Sequence, residues 1–472
     1  MNMEINIEDQ PQMYEEETVL SFGDDWIESK IRQINAAADA HTHGGPNESL
    51  KISKPPKALL DVRPLSYRPQ LMTIGPLHDM LSDSASADRC KELCVWRFMQ
   101  RHGIPDVKQL MQRIFEDPRS FLDTHYSNPL DYNSLEILQL MLTLDTILIY
   151  EFFLYMCATV SESTIEQYGH FQTLWKNDII GKQFFRDLFL MGNQIPMSFL
   201  KRIAAFPNEN EVNLKDLQAV LVDIVVRSCP FPMGYNDWHK NVGNPNLLNC
   251  EHLLDCQYVL VTQGLHEHKR SPQIQHNGSR NLIGAGRLQS RHRDRLPPAS
   301  QLSKVGISFH AHKSGTSLIK YHRRTLQLHL PRIVVYEGTE NVLRNLLAYE
   351  QTSKEGCEFA KYVVIMDSLI YTTEDLAILM KAGVIVNHLG SDQKLANMWN
   401  NMCENVTIRS CGRWDKMTCE VLHDYENPWR RMYVEFHEKF FSRPWLTTSV
   451  IDAILILILT LLQTVYTILG YY

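Results

Sequence analysis

The chain lacks the short patterns by which catalysis is usually read from sequence. No GxxxxGKS phosphate loop occurs, and the nearest glycine cluster, Gly284 and Gly286, has neither a third glycine nor a preceding strand. HExxH, the GxSxG elbow and the kinase signatures are absent, and His266-Glu267-His268 has the wrong spacing for two zinc ligands on one helix face. Cysteine is sparse, ten in 472 residues, which excludes a disulfide scaffold. Cys90/Cys94 and Cys250/Cys256 are not CxxC pairs and Cys403, Cys411 and Cys419 are widely spaced, so buried free thiols are expected. There is no basic excess: the formal net charge is −7, which argues against a nucleic-acid binder. The amino terminus, MNMEINIEDQPQMYEEETVL, lacks the basic start and apolar core of a signal or transit peptide. These absences leave no residue to nominate as catalytic, cofactor-binding or metal-ligating.

What the chain does have is one long apolar run. Leu446 to Leu469 reads LTTSVIDAILILILTLLQTVYTIL. A bilayer core needs roughly 20 helical residues, and this run meets that length with some tilt. Trp445, Tyr466, Tyr471 and Tyr472 bracket it as an aromatic belt would. Arg430, Arg431, His437, Lys439 and Arg443 precede it and nothing basic follows, so the positive-inside rule places the large body in the cytosol. With the span at the C-terminal end, post-translational insertion is expected, in the plasma membrane or an endomembrane. Asp452, about two turns into the run, is either a polar contact for a partner helix or an interfacial carboxylate reached by water. A second run, Leu135 to Cys157, is as long, but Glu136, Gln139, Asp145 and Glu151 interrupt it, which predicts a buried core helix.

The remaining organisation follows from composition and period. Residues 1–45 read as an acidic disordered tail with a short helix, Trp26 to Ile34, and 46–263 as a helical region. Within it LMTIGPL, Leu71 to Leu77, is strand-like. Lys91 to His102, Leu214 to Ser228 and His252 to Thr262 read as helices, and Phe184 to Phe199 as a helix with the turn NQIP. Residues 264–298 are basic, His-rich and poor in apolar side chains, the mark of a disordered insert. An α+β part, 299–442, follows. Val305 to His312 and Ser317 to Val335 alternate as strands, and helices resume at Glu340–Glu350, Phe359–Ile370, Thr373–Lys381 and Asp392–Met402. Residues 443–472 hold the transmembrane anchor. The fold expected is mainly α with a small β component (α+β): a large helical soluble body plus one C-terminal transmembrane helix. Sequons occur at Asn47, Asn277 and Asn405, and report topology if the body faces a lumen.

A set of phrases in fixed order carries more than any single motif. The chain reads MTIGPLHD (Met72 to Asp79), RDLFLMGNQIP (Arg186 to Pro196), HLLD (His252 to Asp255) and SQLSKVGISF (Ser300 to Phe309). It continues with TENVLRNLLAYEQ (Thr339 to Gln351), a long phrase from Tyr362 to Asn400 containing NHLGSD, and NPW (Asn427 to Trp429). This order resembles the plant family called domain of unknown function 247, from near Trp26 to the C-terminus. The chain departs from the family at Leu77-His78-Asp79, where a His-His pair is usual, and at Gly192, where ENQIP is usual. The resemblance implies a plant membrane protein with one C-terminal transmembrane helix and no assigned enzymatic activity, catalytic residue or cofactor. Some grass members of the family are linked to self-incompatibility as pollen-side determinants.

Asn193 and Gln194 suit a helix end whose free backbone groups they satisfy, and Gly390-Ser391-Asp392 a turn that caps the next helix. Asn345, Glu350 and Gln351 form either a buried polar network or an interaction surface. Together these features predict a membrane-anchored recognition or scaffold protein without catalysis. It would work through the membrane and a protein partner, with no nucleic acid and no identified small-molecule substrate. The alternatives are an enzyme of unrecognised class, with Asp367, Asp392 and His388 converging in a pocket, and a developmental or stress regulator acting through partners.

Overall fold

The computed structural model describes residues 51–78, 85–115, 125–127, 135–161, 171, 178–206, 214–232, 250–266, 295–312, 319–352, 358–407, 412–432 and 444–470. The chain divides into units 1–49 and 50–472. The acidic tail with its helix at Trp26–Ile34, the sequons Asn47 and Asn277, and 267–294 of the basic insert lie outside the described residues.

Fifteen helices of α type are described, in the order α1 (Lys57–Val62), α2 (Ala85–His102), α3 (Val107–Ile114), α4 (Leu135–Ser161), α5 (Asp178–Leu188), α6 (Met197–Ala204), α7 (Leu214–Ser228), α8 (Leu253–His266) and α9 (Ala299–Ser303). Then come strands β1 (Ser308–His312), β2 (Lys320–His322), β3 (Gln327–Pro331) and β4 (Ile333–Val335). Helices α10 (Thr339–Thr352), α11 (Glu358–Leu369) and α12 (Thr373–Lys381), strand β5 (Ile385–Asn387), and α13 (Asp392–Asn400), α14 (Gly412–Tyr425) and α15 (Pro444–Leu469) complete the chain. The mainly helical α+β class expected from the sequence is the class observed.

Two hydrophobic cores form. The first is built on α4, against which α2, α3, α6 and α7 pack; Phe98, Leu142, Phe152, Phe199 and Ile224 are fully enclosed there. The apolar window of α4 is 78% buried, so this helix is the core element its four polar interruptions predicted. Its two inward carboxylates are met by α2: Lys91 Nζ lies 2.8 Å from Asp145, and Arg101 pairs with Glu151. The second core collects α10 to α13 around the parallel pair β4–β5, with Trp399, Phe359 and Leu346 sealed inside. A three-stranded sheet of order β1-β3-β2 lies beside it, β1 parallel and β2 antiparallel to β3. Helix α8 belongs to both cores, giving Leu253, Cys256 and Leu260 to the first and Leu254 and Val261 to the second.

Two sequence expectations fail locally. Residues 71–77 pair with no strand, because their backbone donors go to side chains. Leu71 and Met72 N–H donate to Asp187, Ile74 N–H to Asn193 Oδ1 at 2.6 Å, and Gly75 N–H to Asp145 Oδ2 at 2.8 Å. The helix read over Phe184–Phe199 is two helices, α5 and α6. Gly192 at φ +83° turns the chain between them, and Pro196 stands at the N-cap of α6. Gly75, at φ +75°, passes so close to Gln194 that a Cβ there would collide with that residue's carbonyl.

Candidate functional site

Four of the ordered phrases, MTIGPLHD, RDLFLMGNQIP, HLLD and TENVLRNLLAYEQ, meet at the seam between the two cores. Asn193 Nδ2 donates to Met72 O and Asp187 O, at 3.2 and 2.8 Å. Gln194 Nε2 donates to Leu188 O and Leu190 O, while its Oε1 accepts from Leu254 N–H at the start of α8. The two amides thus close the C-terminal end of α5 and lock it to the IGP segment and to α8, the helix-end role their position predicted. Asp187 accepts from Gln70, Leu71 and Met72 N–H; burial pushes its carboxyl upward and these three bonds oppose that shift. Asn345 is wholly used as well: Oδ1 accepts from Met191 N–H and Nδ2 donates to Ser66 O and Asn341 O. Glu350 accepts from Tyr258 O–H and from Phe359 and Ala360 N–H, capping α11. Gln351 accepts from Thr407 N–H.

HLLD is a helix start that the sequence reading left without a role. His252 precedes α8, and its Nδ1 accepts from Asp255 N–H at 3.2 Å, which requires a neutral ring. Asp255 accepts from Glu251 N–H and, across the seam, from Tyr349 O–H at 2.8 Å. Burial pushes the His252 imidazole down to about 4, with Asp255 partly opposing. A folded-state value below the unfolded one means stability that is complete above the unfolded value near 6.5 and is lost as pH falls through about 4. The full loss is about 3 kcal/mol, on the basis of 1.36 kcal/mol per unit. Asp367 works in the opposite sense: burial pushes its carboxyl up to about 6, so acidification relieves it. His252→Asn keeps a cap acceptor but removes the titration. Its melting temperature is expected to fall less than the parent's between neutral pH and pH 5, as thermal unfolding across that range will show.

The cationic side chains gather elsewhere, on the open face of the β1-β3-β2 sheet. Alternation turns Phe309, Leu328 and Leu330 inward and His310, His329, Lys320 and His322 outward. The register sets His310 opposite His329 and His329 opposite Lys320. The His310 and His329 rings stack with centroids 5.3 Å apart, and His322 meets His329 edge-on at 4.9 Å. Partial burial lowers the His329 pKa, and His322, His310, His312 and Lys320 lower it further. Arg323 and Arg324 follow β2, and a shallow cleft of about 560 Å³ opens beside His322, Arg323, Arg324, Gln327 and His329. The neighbouring carboxylate, Asp424, is taken: it accepts from Tyr321 O–H and pairs with Arg323 and Arg430, with His423 at 3.7 Å. The sequence signal for this face was present in SFHAH, KYH and QLHLP, but only the register brings the three segments together.

The remaining flagged residues fall apart spatially. Asp367 is buried beside Arg295 at 3.6 Å and Cys403, whereas His388 and Asp392 are exposed and Asp392 accepts from Asn387 Nδ2. The structure does not bring the three together. Ser391 caps α13 by accepting from Lys394 N–H, and Thr372 with Asp375 forms a full capping box on α12. Asn405, the described sequon, is exposed and donates from Nδ2 to Ala58 O. Among the described residues no group of three or more His, Cys, Asp or Glu is arranged to hold a metal ion. Helix α15 is long and apolar enough to cross a bilayer, and none of its apolar window is buried. Its threonines bond back to their own helix: Thr460, Thr464 and Thr467 donate to Ile456 O, Thr460 O and Gln463 O.

Comparison with known proteins finds relatives of the same uncharacterised kind. The "Putative UPF0481 protein At3g02645" of Arabidopsis thaliana is 24% identical, over 93% of this chain and 93% of its own. The "UPF0481 protein At3g47200" of the same plant is 22% identical, over 90% of this chain and 87% of its own. No solved structure matches. The model of the domain of unknown function 247 family, described as plant protein of unknown function, matches residues 52–459, so both cores, the seam and the start of α15 through Leu459 are accounted for, and the chain belongs to that family.

Proposed function

We propose that the protein is a membrane-anchored recognition or scaffold component that acts through contacts with a partner, not through catalysis. The observation that carries this reading is α15, an apolar helix of 26 residues with its whole apolar window exposed, whereas the other long apolar helix among the described residues is 78% buried. The basic residues Arg430, Arg431, His437, Lys439 and Arg443 before the span support a cytosolic body. For a chain of grass origin, the resemblance extends this reading to pollen-side recognition.

A one-sided anchor supports the protein partner. At about 100° per residue, Ser449, Asp452, Thr460, Gln463, Thr464 and Thr467 fall within an arc of about 120°. From Ile451 to Leu469 the opposite side is Ile, Leu and Val, suited to lipid. The hydroxyls of Thr460, Thr464 and Thr467 are satisfied within the helix, so the Asp452 carboxylate and, deeper in the span, the Gln463 carboxamide are groups a neighbouring helix would satisfy. Gln463→Leu is expected to shrink the native complex extracted from membranes in mild detergent, whereas Leu462→Ala on the lipid side leaves it unchanged. Equal complex size in parent and Gln463→Leu protein, by native electrophoresis, would remove the partner helix from the reading.

A further inference from the structure

The histidine-bearing sheet face has no part in the seam, in the caps or in the anchor, yet it concentrates charge of one sign. Four histidines (His310, His312, His322 and His329) stand with Lys320, Arg323 and Arg324 on strands β1, β2 and β3 and the turn after β2. From helix α14 and the segment after it, His423, Asp424 and Arg430 approach the same edge. Asp424 is the acid among them, and it is buried and shared by Tyr321, Arg323 and Arg430, so the face keeps a positive excess. His310 and His329 stack and His322 meets His329 edge-on, and among the described residues no metal-holding group forms, which suits an array of donors. No aromatic platform lies outward on the strands, so nucleic-acid bases have nothing to stack on.

We infer that this face docks onto the anionic phospholipid headgroups of the bilayer that holds α15, and that its grip tightens as pH falls. The inference rests on the anchor reading. Charge complementarity selects an anion, and chain reach selects the membrane as its source. Strand β2 packs on α14, the chain after it is described as far as Met432, and the span helix begins at Pro444. Twelve residue steps cover at most about 40 Å, so the face cannot leave the neighbourhood of the lipid surface. Held there, it meets headgroups at high effective concentration, and a weak array of charges suffices. Histidine supplies the pH response, since each imidazole that gains a proton adds a cation to a surface where one cation is worth roughly fivefold in binding.

The test uses the full chain in nanodiscs of phosphatidylcholine alone or with phosphatidylserine added, followed by hydrogen exchange of residues 308–312 and 320–331. Phosphatidylserine is expected to slow exchange of both segments several-fold at about pH 5.5, less at about pH 7.5, and not at all at about 0.5 M salt. The triple variant His310→Asn, His322→Asn, His329→Asn, with an unchanged circular dichroism spectrum, loses the pH response. Should that variant misfold, the salt dependence of the parent decides alone. Identical exchange in the two disc types, with the chain embedded, would overturn the inference and leave the anchor standing. Protection by inorganic phosphate in phosphatidylcholine discs equal to that by phosphatidylserine would also overturn it, by naming a free anion as the ligand. A chain that fails to enter discs of either kind would defeat the anchor reading itself.

Discussion

A chain ending before Pro444 is expected to leave the membrane pellet and appear in the soluble fraction. Removing α15 removes no part of either core: its apolar window is fully exposed, while both cores are built from residues up to Val421. The truncated body should therefore keep its melting temperature within about a degree, since surface changes away from packed contacts cost little. The effect on partition is large. Each leucine or isoleucine at the centre of a span contributes about 0.3–0.6 kcal/mol to insertion, and the run from Ile454 to Leu462 supplies eight of them with one threonine. Alkaline extraction of membranes carrying the parent and the truncated chain checks this directly. A truncated chain that stays in the extracted pellet would mean that the body carries an anchor of its own.

Lys91→Met is expected to have the largest effect on folding. The Lys91 ammonium is 7% exposed, lies 2.8 Å from Asp145 and donates to Thr73 O at 2.7 Å. Asp145, in the centre of α4, also holds the backbone N–H of Gly75. Taking away the cation breaks a buried ion pair and leaves the carboxylate sealed in the first core without its lysine, a change that costs about 3–5 kcal/mol. For a body whose whole stability is of order 5–15 kcal/mol, that removes a large share. Lys91→Met with Asp145→Leu removes both charges and is expected to recover only part of the loss, because the bonds of Gly75 N–H to Asp145 and of Lys91 to Thr73 O are lost as well. Denaturant unfolding of the two variants and the parent checks the order: single variant least stable, double variant between. A single variant as stable as the parent would show that the pair contributes nothing.

The same pair explains how much of the fold could be read from sequence. Asp145 and Glu151 marked α4 as a core helix because a carboxylate in lipid is costly, and their partners on α2, Lys91 and Arg101, stand about 2.8 turns apart. Strong periodicity and caps identified α7, α10, α11, α12 and α13 to within a few residues, since Thr372 and Ser391 are local signals. Helix α14 was missed although Trp414, Met417 and Val421 recur at helical spacing, and α3 although Asp106 caps it by accepting from Lys108 N–H. Residues 71–77 misled because β-like composition does not say where backbone N–H groups go, and here Asp187, Asn193 and Asp145 take them from far along the chain. The histidine face was invisible for a related reason. His310, Lys320 and His329 are separated by a turn and a crossover, and only strand register makes them neighbours.

Membrane topology of the intact protein is the most direct measurement. Microsomes carrying the chain with an N-terminal tag are treated with protease, and the same chain is tested with endoglycosidase for sugar on Asn47, Asn277 and Asn405. A tag cleaved in intact microsomes, and a chain whose mobility endoglycosidase does not change, is the result expected for an anchor at α15 with its body in the cytosol. A protected tag and a glycosylated body would contradict that account and place the recognition surface on the lumenal or extracellular side.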